Sequence, residues 1–239
     1  MDQLLQHLQR VGVHNLKNDR VIMLEILENK LHLASEIDVL INELLDKLHS
    51  SCLKKIMLEC PKMLLDSLNR TRSKMEIIGE RVVYKRSLMT SLNVSIPDYE
   101  VWSISDNNSV SFLSEVMGIS FIDAEKFLTG MSIELPSQVK EMFTVYKVNK
   151  EPVGVVFPHI EPNTDKEGRI FWIGMHPNFL GSGFGRNLHA IGLYRLKNEF
   201  KAISYLGMTQ VDNIPMRNIM VLNGCIQNEN TVISLQYSV

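Results

Sequence analysis

Residues 173–192 read IGMHPNFLGSGFGRNLHAIG, an apolar run that breaks into glycines at 181, 183 and 185 and then resumes with helical character. Glycine permits positive φ and close backbone approach but costs entropy to order, so three in five positions restrict what the segment can be. One reading is a surface turn between a strand and a helix. The other follows from helix geometry: a loop that opens a helix leaves the first-turn N–H groups unpaired at the positive end of the dipole, which makes an anion site. With no β-carbons at 181, 183 and 185, a pyrophosphate can lie on the amides of residues 181–186, and Arg186 can add a countercharge.

The flanking pattern decides between them. EMFTVYKV, PVGVVFPHI and RIFWIGMHP read as three strands, the first two joined around Asn149 and Lys150 and the third reached through EPNTDKEG, which together make an antiparallel meander. The glycine loop follows and leads into a helix from about Gly183 to Phe200, then a strand AISYLGMTQV and a helix from Pro215 to Asn223 closed by Gly224. A helix joining RIFWIGMHP to AISYLGMTQV makes those two strands parallel. Ahead of the meander, YEVWSIS reads as a strand, and DNNSVSFLSEVMG and SFIDAEKFLTG as short helices closed by Gly118 and Gly130. CIQNENTVISLQYSV reads as a terminal hairpin.

The first half is a separate small α/β unit. SEIDVLINELLDKL puts Ile37, Leu40, Ile41, Leu44, Leu45 and Leu48 on one stripe behind a cap signal at Ser35 and Asp38. KKIMLEC reads as a strand, Pro61 opens a short helix through Leu64, Leu65 and Leu68, and EIIGERVVYKRSL reads as a strand pair. The polar segment 88–100, with Pro97, is the candidate linker. The expected division is a lobe over residues 1–90 and a second domain over residues 98–239.

Composition narrows the function classes. A formal net charge of −2 supplies no basic surplus for a phosphate backbone, so no nucleic acid partner is expected. No apolar run approaches a membrane span and the N-terminus lacks the apolar core of a signal peptide, so a cytoplasmic protein with no membrane partner is expected. Cys52, Cys60 and Cys225 have no CxxC spacing and the seven histidines form no HExxH pair, so no metal site is expected. GxxxxGK[ST] is absent, the spacing is GxGxG rather than GxGxxG, and Asp212 lies 27 residues past Gly185, farther than a ribose-binding acid usually lies. ATP or NAD is the weaker candidate for the loop.

Residues 98–239 resemble the GNAT superfamily of acyl-CoA-dependent N-acyltransferases in element order and in two motifs. The first is a valine-x-proline stretch followed by Arg/Gln-x-x-Gly-x-Gly/Ala, present here as Met175-His176-Pro177 and then Leu180-Gly181-Ser182-Gly183-Phe184-Gly185. The second is an asparagine before a helix that ends in Gly-Phe, present as Asn213-Ile214-Pro215-Met216 through Gly224-Cys225. The resemblance implies an α/β (α+β) fold with a mixed, mostly antiparallel central sheet flanked by helices, preceded by an N-terminal α/β lobe that is a degenerate or appended half without cofactor. It implies acetyl-CoA as cofactor and an amine of a small molecule or protein as acceptor.

The resemblance also implies residue roles. The parallel strands splay, Gly174 suits the bulge that starts the splay, and the pantetheine arm of CoA lies between the strands. Backbone of Ile173 and Met175 then pairs with pantetheine amides, the loop Leu180, Gly181, Ser182, Gly183, Phe184, Gly185 and Arg186 holds the pyrophosphate, and Asn213 with Met216 flanks the arm. Three positions depart from the family. Leu180 replaces arginine or glutamine, Met220 stands where many relatives carry a tyrosine that protonates the leaving thiolate, and Arg169 falls near where some carry a glutamate base.

Acyl transfer to an amine needs a neutral nucleophile, a polarised carbonyl and a route for one proton. In a PHIEPNTDKEGRI hairpin His159 lies opposite residues near Ile170, about one pair from an acyl group beside Trp172, and is the first catalytic candidate. Glu161, on the same strand face, is the second catalytic candidate. The competing reading makes His159 a hydrogen-bonded structural residue and Glu161 a solvated one. The resemblance puts His176 close to the cofactor arm, where its backbone matters more than its side chain, and His189, inside the helix, is read as structural. Two functions stay open: an N-acetyltransferase, and an acyl-CoA-binding or sensing protein that has lost catalysis.

Overall fold

The computed structural model describes every residue except 19, 27–29, 52 and 91–94. Cys52 and part of the expected linker therefore lie outside the described residues. In chain order the elements are α1 (Asp2–Arg10), β1 (His14–Lys17), β2 (Val21–Glu25), α2 (Ala34–Leu48), β3 (Lys55–Pro61), α3 (Lys62–Leu65), α4 (Asn69–Lys74) and β4 (Glu76–Ser87). There follow β5 (Tyr99–Val101), α5 (Asn107–Met117), α6 (Phe121–Glu134), α7 (Val139–Met142), β6 (Thr144–Val148), β7 (Glu151–Ile160), β8 (Glu167–Met175), α8 (Phe184–Asn198), β9 (Ser204–Gln210), α9 (Ile214–Leu222) and β10 (Ile226–Ser238). Among the described residues no helix is long and apolar enough to cross a membrane.

The chain forms two compact units, one of Met1–Val83, Gln210–Asp212 and Asn228–Val239, the other of Tyr84–Thr209 and Asn213–Gln227. Residues 228–239 thus join the first unit, because β10 pairs antiparallel with β3 from Val232↔Pro61 to Ser238↔Lys55. In that unit β2 and β3 are parallel and β1 and β2 antiparallel. The α2 stripe expected from sequence is buried in the core that includes Ile22, Ile56, Leu58 and Leu235.

The expected cap at Ser35 and Asp38 is not one. The helix starts at Ala34 after a 3-10 turn over Leu31–Leu33, with no side-chain cap. The Asp38 carboxylate serves another helix instead: it accepts the backbone N–H groups of Arg70 (3.1 Å) and Thr71 (2.8 Å) in the first turn of α4. A carboxylate there satisfies two donors that α4 cannot pair internally and suits the helix dipole.

In the second unit β5 to β8 are consecutive antiparallel strands, and β8 and β9 are parallel, as the sequence predicts. Asn149 and Lys150 both have positive φ, 51° and 70°, the backbone of a tight two-residue hairpin. The two sheet faces are covered differently. Val155 and Phe157 of β7 pack with α5 and α6, and Val153 and Val156 pack with Leu188 and Ile191 of α8.

Four expectations change. EIIGERVVYKRSL is one strand, β4, and its Gly79 lacks the positive φ of a turn glycine. The tail is one strand, β10, rather than a hairpin. Gly118 closes α5 with φ +65°, but α6 runs through Gly130 to Glu134. The irregularity expected at Gly174 lies earlier: Val156 pairs with Ile173 and Pro158 with Ile170, so Phe171 and Trp172 together oppose Phe157 in a bulge.

Asp38→Ala leaves two N–H groups of a helix start without their acceptor, and equilibrium denaturant unfolding should show a loss of about 1–3 kcal/mol. Asp38→Asn, which keeps one acceptor oxygen, should lose less. Equal stability of Asp38→Ala and the parent chain would show that α4 does not depend on this carboxylate.

Candidate functional site

Strands β8 and β9 pair at two positions, Glu167↔Ser204 and Gly168↔Tyr205. From Arg169 to Met175 the β9-facing edge of β8 has no described strand partner, and Ile173 and Met175 lie on that edge, half-buried. On the other side Ile173 and Met175 pair with Val156 and Gly154 of β7. Unpaired backbone in the middle of a sheet is costly unless something else satisfies it, so the parted stretch is suited to an extended polar chain.

An aromatic folds over a glycine on each parted strand. A Cβ on Gly174 would collide with the Trp172 ring, and one on Gly207 with the Tyr205 hydroxyl. Residues two apart share a strand face, which places each ring over the glycine that follows. Trp172 lies toward α6, where it packs with Phe127 and Phe157. Tyr205 lies toward α8, with its ring centroid 5.4 Å from that of His189.

Beyond Met175 the chain turns through Pro177–Phe179 into the glycine loop, and the three glycines do different work. Gly181 and Gly183 have φ of +78° and +79°, and a Cβ at either would meet nothing within 4 Å, so both are conformational and both border open space. Gly185 is a packing glycine: its missing Cβ faces Ile219 Cδ1 of α9 at 2.9 Å rather than the open side of the loop. Gly183 is the N-cap of α8 and no side chain caps that helix, which leaves the first-turn N–H groups of Phe184, Gly185 and Arg186 without an intrahelical acceptor. The amides of Leu180 and Ser182 are already spent on Pro177 and Phe179 carbonyls, at 3.2 and 3.3 Å. Leu180 is 67% exposed and brings no polar group. Arg186 Nη2 rests 3.3 Å from the Leu222 carbonyl, and Asn213 accepts the Met216 N–H at 3.2 Å as the N-cap of α9.

The structure brings His159 and Glu161 together. His159 Nε2 and Glu161 Oε2 are 3.3 Å apart, and both residues are buried. Arg169, directly opposite His159 in the β7–β8 register, reaches Glu161 at 3.5 Å and donates to Glu167 at 2.8 Å. Glu161 is therefore a paired carboxylate, not a solvated one. His159 Nδ1 is buried and has no hydrogen-bond partner among the described residues, and the ring meets Phe171 edge-on at 5.9 Å. His176 accepts the Asn178 N–H through Nδ1 and approaches Glu115 through Nε2, both at 3.3 Å, consistent with a structural role.

Sequence reasoning passed over a polar chain on the α8 side. Asn223 Nδ2 donates to the Arg186 carbonyl (3.0 Å) and meets His189 Nδ1 (2.9 Å), and His189 Nε2 meets the Tyr205 hydroxyl (3.1 Å). Burial pushes the His189 imidazole down to about 3, with the nearby Arg86 guanidinium acting in the same direction, so the folded chain holds it neutral. The two buried thiols Cys60 and Cys225 are pushed up by burial, to about 12 and about 11, and are not nucleophiles.

The His189 shift has a sign. Between about 3 and its ordinary value near 6.5 the unfolded chain takes up a proton that the folded one does not. Its contribution to stability is therefore complete above about pH 6.5 and lost as pH falls toward 3, at most about 1.4 kcal/mol per pH unit. From pH 7 to pH 5 the parent chain should lose roughly 2 kcal/mol more than His189→Gln in denaturant unfolding. Identical losses in the two chains would mean that His189 is not held neutral.

No protein-family model and no curated protein matches the sequence. Solved structures do match. A tandem GNAT protein from the clavulanic acid biosynthesis pathway aligns with a TM-score of 0.63 at 10% identity, over 93% of this chain and 76% of that one. A GCN5-related N-acetyltransferase from Sphaerobacter thermophilus aligns at 0.60 and 11% identity, over 95% and 76%. One from Kribbella flavida aligns at 0.58 and 10% identity, over 99% and 94%. At such identities the likeness is one of fold, and the chain has the fold of the GNAT-family N-acetyltransferases.

Proposed function

We propose that this chain is an acetyl-CoA-dependent N-acetyltransferase acting on an amine of a small molecule or a protein, with its cofactor site in the second unit. The observation that carries the reading is a conjunction: the parted edge of β8 leads directly into an uncapped helix N-terminus bordered by two open, positive-φ glycines. Those parts fit an extended amide-bearing arm that ends in a pyrophosphate. When bound, the CoA thioester supplies the activated acyl group.

The chain's own residues then divide the work. Backbone of Ile173 and Met175 holds the arm, the loop amides other than those of Leu180 and Ser182 hold the phosphates together with the first turn of α8, and Arg186 adds positive charge beside that turn. Leu180 contributes no donor, because its side chain is apolar and its N–H is held by the Pro177 carbonyl. Asn213 fixes the start of α9 near Met216. His159 accepts the proton of the attacking amine at its unpartnered Nδ1, directly or through water, while Glu161 and Arg169 hold the ring in place.

The first unit is proposed as an appended GNAT-like lobe without a cofactor loop. Its one described positive-φ glycine is Gly12, which precedes a strand rather than a helix. The match to a tandem GNAT protein over 93% of this chain supports that reading. The buried free thiols Cys60 and Cys225 suit a reducing, cytoplasmic setting. A second reading, an acyl-CoA sensor without catalysis, is favoured by Met220 at the position where the resemblance implies a tyrosine.

A thermal-shift panel with acetyl-CoA, CoA, ATP and NAD tests the cofactor, because a ligand that binds only the folded form raises its midpoint. Both CoA species should raise it and ATP and NAD should not. No rise with either CoA species would overturn both readings. Gly183→Val puts a branched side chain at φ +79° in the open loop, and should weaken acetyl-CoA at least about tenfold. With an acceptor found by screening amines, His159→Ala should slow transfer by about 10²-fold or more while the acetyl-CoA midpoint rise persists. Unchanged turnover would remove His159 from the mechanism.

A further inference from the structure

The chain of hydrogen bonds on the α8 side has a direction that can be read from its ends. The Arg186 carbonyl can only accept, so the Asn223 amide must turn its nitrogen toward it, 3.0 Å away. The same nitrogen lies 2.9 Å from His189 Nδ1, so Nδ1 accepts and the proton of the neutral ring sits on Nε2. Nε2–H therefore donates to the Tyr205 oxygen at 3.1 Å. That leaves the Tyr205 proton unassigned: among the described residues the hydroxyl has His189 as its hydrogen-bond partner, and His189 already fills an acceptor position on it.

The place of that spare donor is specific. Tyr205 belongs to the last β8–β9 pair, and its side chain lies forward over Gly207, into the stretch where the strands have parted. The hydroxyl occupies the space that a Cβ on Gly207 would fill, and Met220 Cε stands 3.1 Å from that point. An oriented donor in a water-poor site is strongest where negative charge develops. In thioester transfer that charge develops on two atoms, the carbonyl oxygen and the leaving sulfur.

We propose that Tyr205 donates a hydrogen bond to the thioester sulfur during acyl transfer, with His189 and Asn223 as positioning residues that fix the polarity of its hydroxyl. The proposal rests on the CoA reading above. The step balances without a proton leaving Tyr205. The amine nitrogen forms the new C–N bond, the C–S bond breaks with its electron pair on sulfur, and the amine's proton passes to His159 or water. The thiolate takes a proton from solvent after release. Burial pushes the Tyr205 hydroxyl well above the ordinary phenol range, which keeps it a donor throughout.

The test places 3-fluorotyrosine at position 205 of the full chain and follows its fluorine resonance on adding CoA or desulfo-CoA, which lacks the sulfur. Both ligands should raise the thermal midpoint, and CoA should move the resonance clearly more than desulfo-CoA. Equal movement with the two, or none while the midpoint rises, overturns the assignment to sulfur and leaves the CoA reading standing. No midpoint rise with either ligand ends both. In turnover, Tyr205→Phe should lower kcat about 10²-fold with KM for acetyl-CoA unchanged. A kcat within twofold of the parent, in a chain that still binds CoA, overturns the proposal. His189→Gln, which keeps a donor toward Tyr205, should lose less kcat than His189→Leu.

Discussion

The second unit is organised by where two parallel strands stop pairing. Strands β8 and β9 meet at Glu167↔Ser204 and Gly168↔Tyr205, and Gly168 allows that closure: a Cβ there would lie 2.9 Å from Ala202 and 3.0 Å from Leu196 of α8. Three residues later the bulge at Phe171–Trp172 shifts the register of β8 against β7. A bulge bends and twists the strand that carries it. Tight closure at one end and a bend just beyond it leave the backbone from Arg169 to Met175 facing a gap that needs hydrogen-bonding company.

The gap separates two chemistries. On the α5/α6 face His159 and Glu161 stand beside Phe171, and Arg169 ties the carboxylate into an ion-pair network. On the α8/α9 face the polar chain from Asn223 through His189 ends at Tyr205. One face presents a buried acceptor nitrogen and the other a buried donor hydroxyl. A reaction that moves an acyl group from sulfur to nitrogen needs its proton taken from one partner and its charge stabilised on the other, so a sheet that keeps those groups on opposite faces suits it.

The fold was legible where local signals and tertiary demands agree. The hairpin at Asn149-Lys150, the meander, the αL closure at Gly118 and the crossover through α8 all follow from turn chemistry and periodicity. Where the two diverged, the sequence misled. Polar interruptions in β4 and β10 looked like turns, yet each is a single strand. Asp38 carried a cap signal for its own helix, but its partners are 32 and 33 residues away. Of the candidate site, the loop and the His159 hairpin register were readable because they are local. The Tyr205–His189–Asn223 chain joins β9, α8 and the residue after α9, and no spacing rule reports such a meeting.

The rings lying over Gly174 and Gly207 give these two glycines a meaning separate from any ligand. Glycine on a strand beside a binding groove is usually taken as clearance for the guest, but here each one clears its own strand's aromatic two residues back. Trp172 with Gly174, and Tyr205 with Gly207, are each a single unit of shape. A relative that replaces the ring is released from the glycine, and one that keeps the ring is bound to it, whatever either has come to hold between its strands.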